Sequence, residues 1–90
     1  MIQSAHDLCL IEDYRSVIQS RLRQLKGIVG SAFSTQALAD ACGVQRTYLS
    51  KVLNGGAHFN DDQLYQALTY LRFSEKENEY LVLLHQYQRS

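Results

Sequence analysis

Residues 35–55, TQALADACGVQRTYLSKVLNG, hold the side chains whose types and spacing point to chemistry. Arg46, Thr47, Ser50, Lys51 and Asn54 are hydrogen-bond donors within nine residues of chain. Arg bonds a guanine edge in a bidentate way, and Lys donates to the same acceptors. If residues 45–54 form a helix, about 100° per residue puts Asn54, Thr47 and Lys51 within about 40° of the side opposite Leu49. Val52 and Leu53 flank Leu49 on the apolar side, and Ser50 stands at the edge of the polar one. The polar face carries no carboxylate. A surface that enters the negatively charged groove of a duplex needs this combination.

Other chemistry is weakly supported. His6-x-x-Cys9 has a ligand-like spacing, and Cys42, His58 and His85 can be added to it. No second closely spaced ligand pair accompanies it, so a zinc site is not expected. No Ser/His/Asp constellation, paired-carboxylate spacing or Gly-rich phosphate loop occurs. The chain is therefore expected to be no enzyme and to need no cofactor.

The donors need a scaffold of two short helices crossing at Gly43. A small residue on the inner face of the first, Ala39, lets the second approach closely, and Val44, Leu49, Val52 and Leu53 pack back. The arrangement is a helix-turn-helix, whose second helix enters the major groove. Ala39, Gly43, Val44, Leu49 and Val52, with Tyr48-Leu49-Ser50 and Asn54-Gly55, stand at the spacing found in lambda-repressor-like (Cro/C1-type, XRE-like) regulators, and residues 35–73 resemble that family. Asp13-Tyr14-Arg15 and residues 74–80 resemble a narrower bacterial group, in which such a domain precedes a C-terminal domain of unknown function.

The resemblance implies a five-helix all-α domain with base contacts at Gln45, Arg46, Thr47, Ser50 and Lys51. It implies phosphate contacts at Ser34, Thr35 and Gln36, through free backbone N–H groups, and at Asn54. It also implies double-stranded DNA as partner, transcriptional regulation as the role, and a missing C-terminal effector domain. An interaction module that uses the same fold to hold a protein is the alternative. Two features depart from the family. Gly56-Ala57-His58 lacks the Lys or Arg often found after the motif glycine, and Asp61 and Asp62 would repel a nearby phosphate. One module then binds weakly, and a homodimer on two half-sites about 34 Å apart is expected.

The remaining elements follow from apolar spacing and caps. Ile11, Tyr14, Ile18, Leu22, Leu25 and Val29 form one helical stripe, ended by Gly27 and Gly30. Ser34 caps a helix over 35–42, which Gly43 closes, and Gly55-Gly56 stops the next. Asn60 caps a fourth helix with Leu64, Tyr65, Leu68 and Leu71 inward. Ser74-x-x-Glu77 has capping-box spacing and opens a fifth helix through Tyr87. There Tyr80, Leu83, Leu84 and Tyr87 read as the core stripe. Leu81, Val82 and the run Leu8-Cys9-Leu10-Ile11 read as surplus apolar surface for a dimer.

Ninety residues make one domain, and the absence of Pro with only 5 Gly favours helices. No apolar run approaches a membrane span, and the acidic start is not a secretory signal. Two cysteines are too few for a disulfide framework, so free thiols in the cytoplasm are expected. Nine Lys+Arg balance nine Asp+Glu, but unevenly. Residues 15–26 carry Arg15, Arg21, Arg23 and Lys26 without a carboxylate, between acidic ends. That cluster reads as a solvated helix face, with DNA-backbone contact as the alternative.

Overall fold

The computed structural model describes residues 13–89. Helix α1 spans Tyr14–Ile28, a 3-10 turn covers Ser31–Phe33, and α2 (Thr35–Cys42), α3 (Arg46–Leu53), α4 (Asp61–Tyr70) and α5 (Glu75–Arg89) follow. The described residues hold no strand and form an all-α arrangement of five helices. His6, Cys9, the run Leu8–Ile11 and its surplus apolar surface lie outside the described residues.

Local signals set the helix ends. Asp13 accepts the Arg15 N–H at 2.9 Å and opens α1. Ser34 Oγ accepts the Ala37 N–H at 3.1 Å. At the end of α2, Gly43 has φ 72°; its N–H reaches Asp40 O, and the Val44 N–H reaches Ala39 O. A left-handed residue closed by these two bonds is the Schellman pattern. Gly55, φ 91°, ends α3 in the same way, with the Gly56 N–H on Lys51 O at 2.8 Å. Gln45 gives α3 no side-chain cap bond, and the helix starts at Arg46. Asn60 with Gln63, and Ser74 with Glu77, form reciprocal capping boxes.

Tyr14, Ile18, Leu22 and Leu25 of α1 are buried together with Leu38, Ala39 and Cys42 of α2 and Leu49 and Val52 of α3. Leu53 packs against this core in part. α2 lies against both α3 and α4, and α1 crosses α3 and α5. Each fully buried Leu is worth roughly 1.5–3 kcal/mol relative to exposure, so Leu49 and Val52 together fix the rotation of α3.

Four expectations need correction. Val29 leaves the stripe and is half exposed, and α1 runs through Gly27 to Ile28 instead of ending at Gly27. Tyr65 is 64% exposed, and Ala67 takes its place inside. On α5 the register is shifted. Leu81, Leu84 and His85 are buried, whereas Leu83 is 65% and Tyr87 75% exposed. Polar bonds set this register: His85 Nε2 donates to Phe59 O at 2.7 Å, and the Tyr14 N–H donates to Gln88 Oε1 at 2.9 Å. Leu81 is therefore core and cannot serve as a dimer surface. Finally, Arg15 and Arg21 are not a solvated face. Arg15 donates to Ala57 O at 2.9 Å, and Arg21 donates to Leu71 O and Arg72 O at 2.9 and 2.8 Å. Arg21 thus satisfies carbonyls left open where α4 ends, beside Arg72 at φ 61°.

Candidate nucleic-acid interface

With Leu49 and Val52 inside, Gln45, Arg46, Thr47, Ser50, Lys51 and Asn54 are all exposed. Gln45, Thr47, Tyr48 and Lys51 line a shallow open depression on the outer side of α3. The Lys51 stem lies on Gly56, where an added Cβ would come within 3.0 Å of Lys51 Cγ. The absence of a Cβ at Gly56 therefore leaves room for the aliphatic stem of Lys51, which is exposed. Neither Arg46 nor Lys51 makes an ion pair among the described residues.

At the start of α2 the Ser34 hydroxyl is committed as acceptor to Ala37, and its own proton remains available as a donor. The first-turn N–H groups of Thr35 and Gln36 have no helical partner. The Gln36 side chain donates to Asp40 Oδ1 at 3.0 Å, and its backbone N–H is also open at the helix start. Beside this helix start an open groove is lined by Gln19, Arg23 and Lys26 of α1, with Thr35 and Leu53. Gln19 Nε2 donates to Leu53 O at 3.1 Å and ties α1 to the end of α3. Arg23 and Lys26 are exposed and make no ion pair among the described residues. The basic run of α1 is thus divided: Arg15 and Arg21 are structural, while Arg23 and Lys26 face solvent next to Thr35.

Tyr48 was not among the anticipated site residues. It sits at the edge of the α3 face, and its hydroxyl donates to His58 O at 2.8 Å. Only its position one residue before buried Leu49 hints at this in the sequence. Tyr14, His58 and His85 form a ring cluster; Tyr14 and His58 stack at 5.9 Å between centroids. Burial raises the pKa of the Tyr14 hydroxyl. Burial, then the Arg15 charge, lowers that of His58.

Asp61 is paired with Arg89 at 3.1 Å, and Asp40 and Asp62 are exposed. Cys42 is a buried free thiol, pushed up to about 11 by burial, which fits a core filler rather than a nucleophile. No group of three or more His, Cys, Asp or Glu among the described residues is placed to hold a metal ion. No helix among them is long and apolar enough to cross a membrane. Comparison with protein-family models, curated proteins and solved structures returns no match.

Proposed function

We propose that this domain is the duplex-DNA-binding part of a transcriptional regulator, with α2 and α3 acting as a lambda-repressor-like helix-turn-helix. One observation carries the proposal: α3 is clamped by Leu49 and Val52, and its opposite face is exposed, rich in donors and free of carboxylate. In this arrangement α3 lies in the major groove. Arg46 and Lys51 donate to guanine acceptors, Gln45 suits an adenine edge, and Thr47 and Ser50 meet either. The N–H groups of Thr35 and Gln36, with the Ser34 hydroxyl, bind a phosphate, and Asn54 binds another beyond the far end of α3. Arg23 and Lys26 extend the phosphate track along α1 and supply the charge that Gly56-Ala57-His58 lacks.

Two copies on half-sites about one DNA turn apart, ~34 Å, supply affinity that one module lacks. Selection from random duplexes with the 90-residue chain, followed by salt titration on the enriched sequence, tests the proposal. An enriched site with salt-dependent affinity supports it. No enriched site and no salt-dependent binding refutes it and leaves the protein-binding alternative.

A further inference from the structure

Residues 57–59 lead from the end of α3 to α4, and side chains from three helices hold them. Arg15 donates to Ala57 O at 2.9 Å and Tyr48 donates to His58 O at 2.8 Å. The Phe59 N–H donates to Tyr14 Oη at 3.4 Å, and His85 Nε2 donates to Phe59 O at 2.7 Å. The His58 ring sits among these bonds. Its Nδ1 is 3.1 Å from Tyr14 Oη and 3.0 Å from Arg15 Nη2, with Nε2 3.2 Å from the same guanidinium nitrogen. A guanidinium has donors only, so any hydrogen bond between the two needs an imidazole nitrogen as acceptor, and a protonated ring has none.

The charges around the ring oppose a proton. From α1 it is faced by Asp13, Tyr14 and Arg15; from α5 by His85 and Arg89; from α3 by Tyr48. Asp13 is the single carboxylate in this set, and it is already paired with Arg15 at 3.2 Å. Asp61 holds Arg89 at 3.1 Å. A proton on His58 would leave neither ring nitrogen an acceptor and would set a second cation against Arg15.

We propose that His58 is a proton-operated latch: neutral, it holds residues 57–59 on α1; protonated, it releases them and loosens α3 through Tyr48. Burial and Arg15 hold the His58 pKa below its ordinary 6.5. The released form therefore binds the proton more tightly than the held form. As pH falls through 6.5 the release equilibrium grows, by up to tenfold per pH unit, until the lower pKa of the held form is reached. The consequence for DNA, weaker binding in acid, rests on the function proposed above; the latch itself does not.

Residue-resolved NMR of the 90-residue chain between pH 7.5 and 5 tests the latch. The His58 ring should titrate below 6.5, and the amides of Tyr48, Lys51, Ala57 and Phe59 should shift with the same midpoint. Arg15→Gln should move that midpoint toward 6.5. Tyr48→Phe should leave His58 titrating while the Lys51 amide no longer follows. Titration of His58 at or above 6.5, or α3 amides that stay still while it titrates, overturns the latch. On a selected duplex, wild-type affinity should fall severalfold more between pH 7.5 and 5.5 than that of His58→Gln. Equal losses, with the NMR transition intact, overturn the link to DNA and leave the latch standing.

Discussion

Arg23 and Lys26 give the sharpest test of how the domain would sit on DNA. Both are exposed beside the start of α2 and neither has an ion-pair partner among the described residues. Each phosphate neutralised contributes a slope of about 0.9 in log affinity against log salt. Arg23→Ala with Lys26→Ala should therefore flatten the slope by about 1.8. Over a fourfold rise in salt, from about 50 to 200 mM, the wild type should lose about twelvefold more affinity than the double variant. Base preference should not change, because phosphate contacts carry no sequence information directly. Folding stability should fall by no more than about 1 kcal/mol, mostly from losing Lys26 in the last turn of α1. Fluorescence anisotropy on the selected duplex at several salt concentrations measures the slope. An unchanged slope, or altered preference at a base, would refute the placement of α1 along the backbone.

Further outcomes follow from particular contacts. Arg46→Ala and Lys51→Ala should each cost about 1–3 kcal/mol on the selected site and relax preference at one base pair, read by competition with mismatched duplexes. Ala39 is fully buried on α2, which packs against α3 and α4, so Ala39→Leu should destabilise by about 1–3 kcal/mol in urea unfolding through overpacking. Gly43→Ala should cost about 1–2 kcal/mol from backbone conformation alone, since φ is 72° and a Cβ there meets nothing within 4 Å. Leu81→Asp should abolish the cooperative thermal transition, whereas Leu83→Asp should shift it by only a few degrees; the reverse pattern would disprove the α5 register. The depressed His58 pKa implies stability that is complete above pH 6.5 and declines as pH falls through 6.5 toward the folded-state value. Urea midpoints at pH 7.5 and 5.5 should show this decline, and His58→Gln should reduce it.

Much of the scaffold was legible because its signals act over three or four residues. Ser34, Asn60 and Ser74 each accept an N–H three positions on, so composition and spacing alone mark those helix starts. Gly43 and Gly55 mark helix ends because the closing residue has positive φ. The rotation of α3 was legible too, since Leu49 and Val52 leave one way to bury its apolar side. The rest depended on partners far along the chain. On α5 the stripes through Tyr80, Leu83 and Tyr87 and through Leu81, Leu84 and His85 are comparably apolar. The choice fell to bonds from His85 to Phe59, 26 residues away, and from Tyr14 to Gln88, 74 residues away. Arg15 and Arg21 look like Arg23 and Lys26 in sequence. Carbonyls 42 and 50 residues distant capture the first two and leave the second two in solvent. The sequence by itself determined the number of helices, the caps at Ser34, Asn60 and Ser74 and the face that α3 presents, because each follows from local backbone geometry. Only the tertiary structure decided which cations remain free and which side of α5 is core, because buried polar groups must find partners wherever the fold brings them.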